Sequence, residues 1–447
     1  MLSEVTLPSL LDFTGKTVDA GRLQLELLDV LGEGAYGVVY RARSLEPKGP
    51  SSSSSSSSAH SSAEREYAVK VLRKAGISTP EGTSQRREVM LHQLVSGAHP
   101  SVLPLHAVVE DEEHLYLVLD FCKGGDLFTA IVERHTYAQD DELVKHVFLQ
   151  ILDAVQACHD LGVYHRDLKP DNVFVGADGT RVFLGDFGLA TDEALSKNHA
   201  CGSSAYMSPE CIGEERNYGA FYNETSDIWA LGVVLCNMLT GRNPWRRATT
   251  EDAHFAAYLH DGPDVFLSFL PISRACAALF ARVFTFNPTE RISLAELRVA
   301  VLGMKTFFMS AGEVATAGPE ARCVAAAYTP RLPEFPTPEL GSGTFEIHDI
   351  HQFPDDEYLF ASPDPDADWP VGTPSEPLSS SSTLYSLAST VCDEPAPEEK
   401  GQWKKIVVEE AGDYILGGFG ERLKMQDGKL SALQDSPAQR FLAKMLA

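Results

Sequence analysis

Positive charge, cysteine and long apolar runs are all scarce in this chain. Only 37 Lys and Arg stand against 63 Asp and Glu, a formal net charge of -26. A general nucleic-acid binder shows a basic footprint, so that class is disfavoured. The eight cysteines, at positions 122, 158, 201, 211, 236, 276, 323 and 392, form no CxxC pair and join no histidine cluster at metal-ligand spacing. A reduced intracellular protein fits that usage better than a disulfide framework or a zinc site. The opening MLSEVTLPSLLDFTGK has neither the basic start nor the apolar stretch of a secretory signal. The most continuous apolar segment, Ile228 to Leu239, is too short to span a bilayer and reads as a buried core helix. The expectation is a soluble protein with no membrane or nucleic-acid partner, in cytoplasm or nucleus.

An apolar share of 44% over 447 residues is enough for at least one large globular core. Two β-rich runs, Leu23 to Val30 and Val38 to Ala42, flank a glycine turn, behind an N-terminal extension of residues 1–22. Eight consecutive serines, Ser51 to Ser58, lie in a Pro/Gly/Ser segment from about 44 to 62, which reads as a flexible insertion. Strand patterns resume at Glu66 to Leu72 and Leu115 to Phe121, with helix-forming sequence between them at 84–95. From Glu142 the period changes: Leu143, Val147, Ile151 and Val155 mark one face of a long helix that ends near Gly162. Helical patterns dominate up to about residue 308. From Leu332 to Glu399 there is no Lys or Arg and fifteen residues are Asp or Glu, so 309–447 is expected to be an acidic, mostly disordered tail. A short helix around Ala438 to Leu446 is its one structured candidate.

The glycine turn reads Gly32-Glu33-Gly34-Ala35-Tyr36-Gly37-Val38-Val39, or GxGxxGxV. Glycines let a backbone approach phosphate oxygens closely. Dinucleotide-binding folds use similar spacing before a helix; here a strand follows, which favours a glycine-rich hairpin over a nucleotide. An ordinary Gly-containing hairpin is the bland alternative. Ala68-Val69-Lys70 then matches the V-A-I-K strand, although a lone strand lysine is usually a solvated edge residue. Glu88, eighteen residues on, falls in a predicted helix where it could pair with Lys70. The decisive run is Tyr164-His165-Arg166-Asp167-Leu168-Lys169-Pro170-Asp171-Asn172-Val173, which matches H-R-D-L-x-x-x-N without a gap. Asp186-Phe187-Gly188 follows fourteen residues after Asn172.

Motif by motif, Leu23 to about Leu302 resembles the eukaryotic protein kinase family. The resemblance implies an α+β, bilobal fold: a small β-rich lobe, a larger helical lobe, and the acidic tail behind it. It implies a serine/threonine kinase that takes ATP and Mg2+ and acts on protein substrates as a monomer. Asp167 would accept the proton of the attacking hydroxyl, and Lys169, the serine/threonine-kinase choice, would neutralise the transferring group. Asn172 and Asp186 would supply oxygen ligands to magnesium. Gly32, Gly34, Gly37, Val39 and Lys70, with Glu88 behind the lysine, would hold the nucleotide. Leu119 takes the gatekeeper place, Asp120 to Cys122 the hinge to the adenine, and Asp126 a place that contacts ribose or substrate. Met207-Ser208-Pro209-Glu210 resembles the A-P-E motif, and the family pairs Glu210 with Arg291 and makes Asp227 an anchor of the catalytic loop. His92, with Leu105, Phe187 and His165, falls on the regulatory spine, where a satisfied core histidine is favoured over a pH sensor. In the activation segment the place of a phosphorylated threonine is taken by His199, while Ser203 would bridge Asp167 and Lys169. The stretches Cys201 to Cys211 and Gly241 to Ala248 are similar to a fungal kinase group that links nutrient status to growth and sexual development. Two other readings compete. A pseudokinase scaffold usually lacks Lys70, Asp167, Asn172 or Asp186, all present here; a dinucleotide enzyme fails on the strand after the glycines. The tail is expected to act as a solvated spacer, with partner binding or autoinhibition as the alternative.

Overall fold

The computed structural model describes residues 12–34, 37–45, 65–76 and 78–331, and three short strands between 413 and 430. The serine run and the expected helix at 438–446 lie outside the described residues.

Six strands form the first sheet: β1 (Thr17–Asp19), β2 (Gln24–Gly34), β3 (Gly37–Leu45), β4 (Glu66–Arg73), β5 (Leu105–Glu110) and β6 (His114–Asp120), with α1 (Pro80–Val95) between β4 and β5. Their order is β1-β2-β3-β4-β6-β5, and every pair is antiparallel. Alternation decides which side is covered. Val38, Tyr40 and Ala42 of β3, with Tyr67, Val69 and Val71 of β4, point into a small core with Leu25 and Leu27. β1 comes from the expected N-terminal extension. Its preceding turn is fastened to the sheet by Phe13, edge-on to His114, and by Lys16, paired with Asp111 at 2.9 Å. Thr79 caps α1 by accepting from the Gly82 N–H, and Pro80 opens the helix where its missing N–H costs nothing.

The helical half begins with α2 (Leu127–Val132) and α3 (Asp141–Asp160), continues through the hairpin β7 (Val173–Val175) and β8 (Val182–Leu184), then β9 (Leu195–Ser196), α4 (Pro209–Ile212), β10 (Phe221–Tyr222) and α5 (Asn223–Thr240). It ends in α6 (Ala253–Asp261), α7 (Phe266–Phe269), α8 (Arg274–Val283), α9 (Leu294–Gly303), α10 (Ala311–Thr316) and α11 (Pro319–Ala327). Helix α3 buries Val144, Val147, Phe148, Ile151, Leu152 and Val155, one apolar stripe of a 3.6-residue period. Helix α5 is apolar on nearly all sides and is accordingly buried along almost its whole length; Gly241, at φ 66°, ends it in the left-handed conformation. Trp229, Trp245, Phe255 and Phe284 cluster at the centre of this larger core.

Order continues past the expected domain end at 308. Helices α10 and α11 follow, Ala321, Val324 and Tyr328 are buried, and the Tyr328 hydroxyl donates to the Met238 carbonyl at 3.1 Å. The acidic composition begins only at 332, and the alanine-rich stretch of 309–331 lacks a strong apolar period that would mark it as packed helix. Separately, β11 (Asp413–Ile415), β12 (Arg422–Gln426) and β13 (Lys429–Leu430) form an antiparallel sheet.

Candidate active site

The glycine turn sits where β2 meets β3, with Gly32 opposite Val39 and Gly34 opposite Gly37. Gly37 has no alternative: a Cβ there would stand 2.2 Å from the Val71 carbonyl oxygen. At Gly32 a Cβ would meet nothing within 4 Å, so the protein leaves open space on that side. Register places Lys70 of β4 across from Val39 and Leu117. Its ammonium contacts Glu88 Oε1 of α1 at 2.7 Å and Asp186 Oδ1 at 2.9 Å. Burial works against the charge on Lys70, but Asp186 and Glu88 outweigh it and hold the pKa above the ordinary lysine value. Burial likewise raises Asp186, and the nearby Lys70 ammonium overcomes it and keeps the carboxyl below its usual range. The expected Lys70–Glu88 pair is formed, and it joins α1 to the sheet.

The catalytic-loop candidates converge below that pair. Asp167 Oδ1 accepts the Ser203 N–H at 2.9 Å, and its Oδ2 lies 3.2 Å from the Lys169 ammonium. Lys169 also donates to Ser203 Oγ at 2.9 Å, so Ser203 does bridge the two. The Asn172 amide donates to the Asp167 carbonyl at 2.8 Å and to its carboxylate at 3.1 Å. This commits the amide nitrogen, while the amide oxygen has no hydrogen-bond partner among the described residues. Two backbone positions are unusual: Arg166 (φ 67°) and Asp186 (φ 55°) adopt the left-handed region without being glycine. Such conformations persist only where surroundings fix them. Buried Asp227 does so by accepting the N–H groups of His165 and Arg166, each at 2.9 Å. Gly202, at φ 111°, passes so close that a Cβ would lie 2.5 Å from the Arg166 carbonyl oxygen.

The remaining candidates divide. Asp126 Oδ1 caps α2 by accepting from the Thr129 N–H at 2.7 Å. The Asp120 carboxylate is taken by His106 at 2.7 Å and Arg65 at 3.1 Å, and its backbone N–H donates to the Pro104 carbonyl at 3.3 Å. Burial pushes the Cys122 thiol up to about 12, which keeps it protonated and unreactive. His92 is a satisfied core histidine: Nε2 donates to the Leu103 carbonyl at 2.8 Å, and the ring packs on Phe187 at 4.8 Å. His165 also packs on Phe187, at 5.1 Å. Glu210 and Arg291 form a buried two-pronged ion pair, with the guanidinium over Trp229. The sequence reading missed His159, which contacts Asp227 Oδ2 at 2.8 Å. Its only signal was a histidine at the end of a helix that leads into the catalytic loop.

Among the described residues no helix is long and apolar enough to cross a membrane, and no group of three or more His, Cys, Asp or Glu could hold a metal by itself. A magnesium ion carried on nucleotide phosphates asks less of the protein, and one carboxylate with one amide oxygen suits it.

Comparison with known proteins agrees with this geometry. Residues 25–300 match the family described as protein kinase domain. The fission yeast Schizosaccharomyces pombe has a relative named negative regulator of sexual conjugation and meiosis, 41% identical over 300 residues, which are 63% of this chain and 60% of that protein. The serine/threonine-protein kinase VHS1 of Saccharomyces cerevisiae is 30% identical over 322 residues, 62% of this chain and 69% of that one. A third, serine/threonine-protein kinase ksp1 of Schizosaccharomyces pombe, is 32% identical over 280 residues, 61% of this chain and 55% of that one. The chain thus spans between about half and two thirds of these relatives' lengths. With the glycine hairpin, the Lys70–Glu88 pair and the Asp167 cluster all inside the matched span, which is more than half of the sequence, this chain belongs to the protein kinase domain family.

Proposed function

We propose that the chain is an active serine/threonine kinase that transfers the γ-phosphoryl group of ATP to protein substrates. The observation that carries this reading is the Asn172 amide, fixed by two hydrogen bonds to Asp167 so that base and cation ligand are set together. ATP would supply the phosphoryl group, and Mg2+ would offset charge on its phosphates. Lys70 would grip phosphate oxygens below Gly32, Gly34, Gly37 and Val39, while Glu88 keeps the lysine extended. Asn172 and Asp186 would hold the cation through oxygen. Asp167 Oδ2, beside the Lys169 ammonium, would accept the proton of the substrate hydroxyl, and Lys169 would balance charge as it develops. Asp120 and Cys122 would meet the nucleotide base through their backbone, and Asp126 would face ribose or substrate. A place in nutrient or sexual-development signalling belongs to the same proposal and rests on the fungal relatives.

The test is transfer of labelled phosphate from ATP to a generic basic protein, compared between wild type and Asp186→Ala. Transfer by wild type and its loss in the variant support the reading. Equal incorporation by both would place the chemistry elsewhere.

A further inference from the structure

The activation segment, from Asp186 to Glu210, is held by contacts spread along its length. Its strand β9 pairs with β10, Asn223 donates through its backbone and side chain to the carbonyls of Ala194 and Glu193, and the Ala200 N–H donates to the Cys211 carbonyl at 2.9 Å. Between these anchors lies His199. Both ring nitrogens are buried and have no hydrogen-bond partner among the described residues. Packing is what holds the ring: it meets Tyr218 edge-on at 5.4 Å and lies against Phe221 at 5.3 Å. Gly213 makes room for both rings, since a Cβ there would stand 2.7 Å from His199 Nδ1 and 2.6 Å from the Tyr218 ring. Upstream hydroxyls are already used. Thr191 and Ser196 are buried, with Oγ1 of the first accepting from the Glu193 N–H and Oγ of the second from the Asn198 N–H.

We infer that His199 is a positioning residue, a ring pin clamped by Tyr218, Phe221 and Gly213 that sets the activation segment so that Ser203 reaches Asp167 and Lys169 with no phosphate on the segment. The register is short: three residues separate the pinned ring from Ser203, and Gly202 among them passes against the Arg166 carbonyl. A ring that lets go would shift Ser203 away from the base and the lysine, and with it the surface that receives the peptide. The inference rests on the phosphotransfer reading for its kinetic consequence only.

The full chain, treated with phosphatase, is compared as wild type, His199→Ala, His199→Phe and Tyr218→Ala. Hydrogen exchange at the Ala200 and Ser203 amides reads the pin directly, and peptide KM, ATP KM and kcat read its consequence. Treated wild type should keep its protection and its rate. His199→Ala and Tyr218→Ala should speed exchange at both amides about tenfold or more. They should raise peptide KM and lower kcat by about tenfold, with ATP KM unchanged. His199→Phe, which keeps a ring in the clamp, should restore both readouts. Wild-type exchange in His199→Ala, or loss of protection in wild type on phosphatase treatment, would overturn the inference. Wild type that is protected yet transfers no phosphate would leave the pin standing and sink the kinase reading instead.

Discussion

At the scale of single residues, the site is built from side chains whose partners are fixed before any ligand arrives. Asp167→Asn keeps the shape and an acceptor for the Ser203 N–H but removes the proton acceptor. Turnover should fall about 10²-fold or more, with circular dichroism unchanged; full kcat in that variant would refute the base assignment. The Glu210–Arg291 pair acts on stability instead. Arg291→Ala would strand a buried carboxylate and should cost about 3–5 kcal/mol in denaturant unfolding. His92 gives a pH signature. Burial lowers its pKa from 6.5 to about 4, so the unfolded chain binds the proton more readily than the folded one between those values. Stability from this group is therefore fully present above pH 6.5 and is lost as pH falls toward 4, by about 3 kcal/mol in all. Unfolding curves at pH 7.5 and 5.0 should lie closer together for His92→Leu than for wild type; an unchanged gap would show that other groups set the acid sensitivity.

At the scale of elements, the proposed kinase reading would have the peptide substrate meet α2 and the catalytic loop. Asp126 and Asp171 offer carboxylates there, and burial raises Asp171, with the neighbouring Asp126 and Asp167 acting in the same direction. By the resemblance to kinases that prefer basic peptides, Asn237 would take a third such place, one that is acidic in those relatives. Its oxygen accepts from the Tyr206 hydroxyl at 3.0 Å, and its nitrogen donates to the Arg242 carbonyl and Asn243 Oδ1, so no polar atom is left for a peptide. A peptide array should show a moderate preference for Arg three residues before the target and little for Arg two before it. Leu189, a large residue not branched at Cβ that follows Asp-Phe-Gly, should favour serine over threonine; a proline-directed or acidic preference would refute the scheme. Much of this was legible in the sequence, and the reason differs by element. Strands β2, β3, β4 and β6 and helix α3 declare themselves through period, and the catalytic loop through contiguous residue types. β1 escaped because Thr17–Asp19 is too short to show alternation. β5 escaped because Leu105–Val109 is half-buried at every position, without two distinct faces, and Glu110 is exposed. The clamp around His199 was illegible, because Gly213, Tyr218 and Phe221 meet the ring only through the tertiary fold.

At the scale of the whole molecule, the question is where the folded kinase unit ends, because composition and packing draw that line differently. Composition turns acidic at 332, the family match stops at 300, and packing runs on to Tyr328. Tyr328 is 6% exposed, its ring lies against Gly241 at the end of α5, and it meets the His135 ring at 5.0 Å. His135 in turn receives the chain leaving α11, through its Nδ1 and the Thr329 carbonyl at 2.9 Å. Deleting this segment uncovers the end of α5, the helix whose Asp227 holds the catalytic loop. Emptying a buried aromatic site costs about 3–5 kcal/mol, a large part of the margin of an ordinary domain. Three lengths separate the possibilities: residues 1–447, 1–331 and 1–310. The 1–331 chain should unfold at the same denaturant concentration as the full chain and phosphorylate peptide within about twofold of its rate, as expected if the acidic remainder is a spacer. The 1–310 chain should lose several kcal/mol and most of its activity, and Tyr328→Ala in the full chain should reproduce a large share of that loss. If 1–310 instead proved more active, residues 311–331 would be restraining the catalytic loop through α5 rather than supporting it.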